Sequence, residues 1–390
     1  MTIPPLPDVL VSIPDGVLDL SWGHPSPRLH AVEAIRDAAA TVFERDGVVA
    51  LQYGAEQGFG ALLESLAEFL SQQDAYAMTV EPASLFLTAG VSQALDLACT
   101  ALTKPGDTIF VEEPTYYLVS QIFRDHGLRV VGVPTDANGL RIDALESMVQ
   151  DPNVPGPAAL YIIPTFQNPS GTVLPAARRR ALVELADRYR FLVLSDDVYQ
   201  LLHYGPPPPP PIVAFDHTAD GRVVSLGSFS KILAPGLRLG WVQTAPQLLS
   251  RFVALGLVAS GGGLNHFASV VVQTALARGS LGPNIERLRE VYANRVETLT
   301  NALHAGFGDR ASFAVPGGGY FCWVTLPPDV DTEKLLPLAE AAGVSYRPGP
   351  RFSPSGQFSN SLRISFALYE VAELELAVER LAGAYAEYSR

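Results

Sequence analysis

Lysine is nearly absent from this chain. Only Lys104, Lys231 and Lys334 occur among 27 basic residues, and those 27 are outnumbered by 40 acidic ones, giving a formal net charge of -13. A chain so charged lacks the cationic face that nucleic acids and anionic membranes require, which points to small-molecule partners. Cysteine is equally scarce. Cys99 and Cys322 stand far apart and outside any CxxC, so no disulfide framework and no zinc site is legible. No apolar run approaches the ~18 residues of a membrane span, and MTIPPLPDVL lacks the basic start and apolar stretch of a secretory signal, so a cytoplasmic protein is expected. With 390 residues, 48% of them hydrophobic, the chain can bury one or two substantial cores.

From about residue 83 onward, short β-rich runs alternate with helical patterns: SLFLT, VSQALDLACTALT, TIFVEE, RVVGV, AALYIIP, AARRRALVELADRY, FLVLSDD and RVVSLGSFS. This βαβ rhythm implies a largely parallel sheet covered by helices on both faces, with chemistry in the loops after the strands. Residues 46–280 are expected to form this large domain. The last part changes character: the amphipathic NIERLREVYANRVETLTNALHAGF, a GGG turn and the strand YFCWVTL predict a smaller α+β domain over residues 281–390. Residues 1–45, with a helix in HAVEAIRDAAATVFERD, are expected to form an arm packed on the tail domain or a partner subunit. Pro206 to Pro211 read as a stiff, exposed polyproline II spacer. GAEQGFGALLESL has the wrong glycine spacing for a dinucleotide site, and PGGGY is a turn before a strand.

The densest chemical signal is SLGSFSKILAPGLRLGW. An apolar strand runs into Ser228, Ser230 and Lys231, with Arg238 seven residues on. Hydroxyls and a guanidinium suit a phosphate dianion, and an amine among them is placed to react with a carbonyl on the same ligand. TAGVSQALDL sets a glycine before a helix N-terminus, where backbone N–H groups can receive an anion. FLVLSDDVYQLL places Asp196 and Tyr199 three apart at the end of a buried-looking strand, with Asp197 as the competing carboxylate.

These segments, in this order, resemble the motifs of fold-type I pyridoxal phosphate (PLP) enzymes, the class I/II aminotransferases, most closely the 2-aminoadipate, kynurenine and broad-specificity group. The pattern S-x-S-K-x-x-x-P-G-x-R-x-G-W is similar to the family's cofactor-lysine motif, EEPTYY to D/E-x-P-x-Y, YIIPTFQNPSG to P-x-x-Q-N-P-[ST]-G, and SLRISFALYE to R-[IL]-S-F. The resemblance implies an α/β protein of the PLP-dependent transferase fold type I: a large domain with a mostly parallel seven-stranded sheet between helices, and a smaller α+β domain.

It also implies roles. Lys231 holds PLP as a Schiff base, Asp196 pairs with the pyridine nitrogen, and Tyr199 and Asn168 reach the phenolic oxygen. Tyr116 stacks on the ring, while Ser228, Ser230, Arg238, Ser92 and the backbone at Val91 receive the phosphate. Val91 itself departs from the serine often found there. Arg363 grips the substrate α-carboxylate, with Arg351 as rival, and Gly23 approaches the same substrate. Tyr53 reaches the phosphate of a neighbouring subunit, making a homodimer with shared sites. The expected activity is ping-pong transfer of an α-amino group from an amino acid to a 2-oxo acid. A PLP lyase, decarboxylase or oxidase would need the same residues. A non-catalytic sensor fused to a DNA-binding helix is disfavoured, because the residues before Tyr53 are neither basic nor patterned as helix-turn-helix.

Overall fold

Alternation along the central strands divides the protein's interior into two cores. Ile109, Val111, Tyr161, Leu194, Val224 and Leu226 enter one hydrophobic cluster, while Phe110, Leu160, Ile162, Val193 and Val223 enter another on the opposite face. Side chains of successive strand residues leave opposite faces, so strands apolar at every position need cover on both sides. The computed structural model describes residues 9–11 and 13–390, with the backbone alone at residue 46. The first eight residues of the expected arm lie outside the described residues.

A two-residue strand, β1 (Leu18–Asp19), comes first. The central sheet follows with β2 (Leu85–Thr88), β3 (Thr108–Glu113), β4 (Arg129–Asp136), β5 (Gly139–Leu140), β6 (Pro157–Ile162), β7 (Leu192–Asp196), β8 (Val223–Ser228) and β9 (Gly240–Thr244). Their order is β2-β9-β8-β7-β6-β3-β4-β5. Strands β4, β3, β6, β7 and β8 run parallel, whereas β9 is antiparallel to both β8 and β2. The sheet therefore has eight strands where seven were expected. The addition is β5, whose two residues fold back antiparallel on β4 through a turn at Asp136–Gly139.

The smaller sheet holds β10 (Phe321–Thr325), β12 (Arg347–Pro348) and β13 (Ser361–Ser365), in the order β10-β13-β12 and fully antiparallel. Strand β11 (Val344–Ser345) pairs in parallel with β1. The helices Leu281–Phe307 and Val371–Tyr388 flank this unit. The glycine turn before β10 is pressed against the large sheet's loops: a Cβ on Gly318 would stand 2.4 Å from the carbonyl oxygen of Leu202.

The N-terminal arm divides its attachments. Strand β1 joins the small unit, but the helix Val32–Ala50 packs on the helix His266–Ala277, because Ala38 and Val42 bury against Val270, Val271 and Ala275. An arm ending at residue 45 would thus end inside a helix. We propose that the small domain starts at the helix Leu281–Phe307.

The proline run is not an exposed spacer throughout. Only Pro206 and Pro207 are exposed, and Pro208 and Pro211 are buried. Prolines cannot donate backbone hydrogen bonds but still accept them. Gln200 Nε2 donates to the Pro209 carbonyl at 2.9 Å, and Arg179 Nη1 to that of Pro210 at 2.9 Å. Arg179, itself fully buried, also donates to the carbonyls of Leu174 and Pro164 and to Thr165 Oγ1. It thereby ties the proline run to the start of the loop that carries Asn168. Replacing Arg179 by Met strands these acceptors, and the expected loss is roughly 3 kcal/mol or more. Thermal unfolding checks this: a Tm within about a degree of wild type would show the cluster to be dispensable.

Candidate active site

The carboxyl ends of β3, β6, β7 and β8 lie at one edge of the parallel sheet, and the residues singled out from the sequence follow them directly. Strand β8 ends at Ser228. The backbone N–H of Ser230 donates to Ser228 Oγ at 3.0 Å, and the turn delivers Lys231. The Lys231 amine donates to the carbonyl of Gly23 at 2.9 Å and lies 5.4 Å from the ring centroid of Tyr320. Its backbone is braced from the other side of the site: Tyr320 Oη donates to the Lys231 carbonyl at 3.0 Å, and Asn284 Nδ2 to that of Ile232 at 2.8 Å. Burial draws the amine down to about 8, and the positive charges of Arg363 and Arg238 pull the same way while Asp196 opposes them.

Asp196 closes β7. Its Oδ2 accepts from Tyr161 Oη at 2.7 Å, and its Oδ1 is buried without a hydrogen-bond partner. Burial pushes the carboxyl up to about 6, against the pull of Tyr161, the Val198 N–H and Lys231. Asp197 points to the other face of the strand, where Ser195 Oγ and Ser225 Oγ donate to its two oxygens at 3.0 and 2.5 Å. It is the saturated member of the pair. Tyr199 is buried in the next turn, 5.4 Å from the Tyr320 ring. Tyr116, after β3, has its hydroxyl pushed up to about 12, chiefly by burial and further by Tyr117 and Asp196.

Arg363, on β13, is 3% exposed. Its Nη1 donates to Asn168 Oδ1 at 2.8 Å and its Nη2 to the Ser21 carbonyl, while the rings of Phe321 and Phe352 lie 4.1 and 4.8 Å away. Burial draws the guanidinium down to about 10, so it stays charged at neutral pH. Arg351 is exposed and lines a cavity of 340 Å³ with Arg124, Tyr117 and Phe352.

The helix Val91–Leu102 starts at Gly90, which has no side chain to cap it. Gly90 has φ +87°, and a Cβ there would stand 2.7 Å from Arg238 Nη2. Arg238 reaches this position by donating to the Ala89 carbonyl at 3.2 Å. The N–H groups at Val91 and Ser92 thus open beside a guanidinium. Tyr53 is 87% exposed, and among the described residues no contact within one chain joins it to this cluster.

Comparison with known proteins agrees with this geometry. The sequence profile of aminotransferase class I and II matches residues 15–381. The chain belongs to the class I and II aminotransferases. It is 35% identical to aromatic-amino-acid aminotransferase 1 of Thermococcus litoralis, across 94% of this chain and 87% of that one. Identity to the 2-aminoadipate transaminase of Thermus thermophilus is 32%, across 94% and 89%. The crystal structure of a multiple substrate aminotransferase from Thermococcus profundus superimposes with a TM-score of 0.89 at 34% identity, covering 96% of this chain and 93% of that one. The aminotransferase has the fold-type I architecture and uses pyridoxal 5'-phosphate. Its residues fit that cofactor: an uncapped helix start beside Arg238 for a phosphate, and an unpartnered carboxylate oxygen on Asp196 for a ring N–H.

Several contributors escaped the sequence reading. Tyr161 sat in an apolar strand pattern whose only signal was one hydroxyl. His24, whose ring burial and the charges of Lys231 and Arg363 bring down to about 4, is neutral at pH 7 beside the lysine. Ser21 and Arg347 belong to no motif.

Lys231 gives a test by pH. Its folded value near 8 lies below an ordinary lysine's 10.5, so between these values the unfolded chain binds more protons and stability rises with pH. The slope is at most about 1.4 kcal/mol per pH unit. In cofactor-free protein, Lys231→Met is expected to melt above wild type at and below pH 8, with the gap narrowing as pH rises toward 10.5. A gap constant over that window would mean an unperturbed amine.

Proposed function

We propose that this aminotransferase moves the α-amino group of an amino acid to a 2-oxo acid with Lys231 as attachment point and proton carrier, Asp196 as the nitrogen partner and Arg363 as the carboxylate fork. The observation that carries this reading is the unpartnered Oδ1 of Asp196, buried beside a lysine whose amine is drawn to about 8. Pyridoxal 5'-phosphate, when bound, supplies a carbonyl that condenses with amines and a ring that withdraws electrons.

The protein's residues divide the remaining tasks. Lys231 Nζ, once free, would take the proton from the substrate α-carbon and deliver it to the carbon that had been the cofactor's carbonyl, a role suited to an amine near neutrality. Asp196, charged above about 6, keeps a proton on its partner nitrogen, and Tyr161 fixes its orientation. Asn168 is already an acceptor for Arg363, which leaves its Nδ2 to donate to the phenolic oxygen together with Tyr199. Ser228, Ser230, Arg238, Ser92 and the Val91 N–H form the phosphate cradle, Tyr116 covers the ring, and Gly23 borders the substrate. Arg363 binds the α-carboxylate of donor and acceptor alike, so both half-reactions use one fork.

A homodimer belongs to this reading. Phe43, Val48, Val49, Leu51, Leu257 and Phe267 are exposed, Phe43 and Phe267 lie ring to ring at 5.9 Å, and Tyr53 follows in the chain. Such a patch is covered in a soluble enzyme, and a second copy would bring Tyr53 to its neighbour's phosphate. The cytoplasm is the compartment we propose, on the two buried, unpaired thiols Cys99 and Cys322.

The purified protein is expected to convert its cofactor between pyridoxal and pyridoxamine forms with an amino acid and then a 2-oxo acid. Lys231→Ala is expected to abolish covalent attachment, read by mass spectrometry after borohydride reduction, and Asp196→Asn to lower turnover roughly 10²–10³-fold. Damage from Asp197→Asn instead would move the nitrogen partner by one residue. For the dimer, Lys231→Ala and Tyr53→Phe chains refolded together are expected to regain activity, since each hybrid holds one site free of both defects. Hybrids that form but stay inactive would count against a shared site.

A further inference from the structure

Arg363 is not the only guanidinium at the mouth of the site. Arg347 on β12 and Arg363 on β13 are Cα partners in the antiparallel pairing, so their side chains leave the same face of the small sheet, in one row with Trp323 of β10. Both end on one residue: Arg347 Nη2 donates to Ser21 Oγ at 3.1 Å, and Arg363 Nη2 donates to the Ser21 carbonyl. The Arg347 guanidinium lies 5.7 Å from the ring of Trp22 and 5.5 Å from that of Tyr117, and its Nε is buried without a hydrogen-bond partner. Among the described residues, no ion pair includes the buried Arg363 or the partly buried Arg347, whereas the buried Arg295 has Glu370.

One α-carboxylate neutralises one guanidinium. A second, partly buried cation held beside it without an acid is a standing repulsion, which adds to burial in lowering the pKa of Arg363, unless a second anion arrives. The aromatic rings already engage the guanidinium, which leaves its N–H edge, including the orphaned Nε, to seek an acceptor. We infer that Arg347 is a specificity-determining residue that receives the distal carboxylate of a dicarboxylic amino acid, and of the matching dicarboxylic 2-oxo acid, while Arg363 holds the α-carboxylate. This deepens the aminotransferase reading and rests on it.

The test uses the PLP-loaded enzyme and the ratio of kcat/KM for L-glutamate to that for L-leucine in the amino-donor half-reaction. Arg347→Gln is expected to lower this ratio at least about 30-fold, and Arg347→Lys to recover part of it, because charge returns without the forked edge. A ratio within about threefold of wild type overturns the inference, as does a selective loss for L-phenylalanine, which would make Arg347 a platform for aromatic substrates. A second measurement does not depend on the variants folding. By calorimetry, wild-type holoenzyme is expected to bind glutarate at least about tenfold more tightly than valerate, which has the same carbon chain and one carboxylate fewer. Equal binding overturns the inference. A wild-type enzyme that converts its cofactor with leucine but not glutamate also overturns it, leaving the aminotransferase reading intact. Conversion with no amino acid at all would overturn that reading instead, and the glutarate comparison would still decide the role of Arg347.

Discussion

The three residues Ser21, Trp22 and Gly23 carry an electrostatic constraint on which the site depends: cations wholly or partly withdrawn from water must be held without being neutralised. The Ser21 carbonyl accepts from Arg363, its hydroxyl from Arg347, and the Gly23 carbonyl from Lys231. Neutral dipoles satisfy donors while leaving the charge available, whereas a carboxylate in the same place would compete with any anionic ligand. The segment is itself held by the small unit, since Leu20 N donates to the Ser345 carbonyl and Ser365 N to that of Leu20, each at 2.9 Å. A Cβ on Gly23 would fall 2.4 Å from the Phe321 ring, so the backbone passes where no side chain fits.

Acids in the site obey the complementary rule, each with a different degree of satisfaction. Asp197 has both oxygens occupied by hydroxyls, and burial still pushes it to about 7. Glu112, pushed by burial to about 8, accepts at Oε2 from the Ile163 N–H and from Gln167. Gln167 in turn donates to the Pro114 carbonyl and accepts from Ser170, so the neighbouring acid organises the loop that presents Asn168. Only Asp196 keeps an oxygen in reserve while remaining substantially charged at neutral pH.

The two units meet through one further carboxylate. Glu113, at the end of β3, accepts from the backbone and hydroxyl of Ser355 at 3.0 and 2.6 Å and also from Ser353 Oγ. Beside it the Thr115 N–H donates to the Phe352 carbonyl at 2.9 Å. Because Phe352 also lies over Arg363, the joint fixes the height of the small sheet above the strand ends.

The sequence by itself determined the alternation of strands and helices, the loops after the strands, and the order of the segments around Gly90, Asn168, Asp196, Lys231 and Arg363. Those features are local: a buried parallel strand, an uncapped helix start or a turn rich in hydroxyls is written in neighbouring residues. Tertiary structure decided what depends on the opposite face of a contact. It set Asp196 apart from Asp197, because alternation separates two adjacent side chains but not which of the two faces meets the site. It brought Tyr161 to Asp196 across adjacent strands, added β5 as an eighth strand, laid the arm's helix on His266–Ala277, and drew the proline run inward to Arg179. Arg347 and Ser21 are 326 residues apart, and Arg363 and Ser21 342. No spacing in the chain encodes such pairs, because they exist only once burial of two separate cores has packed the small sheet against the large one.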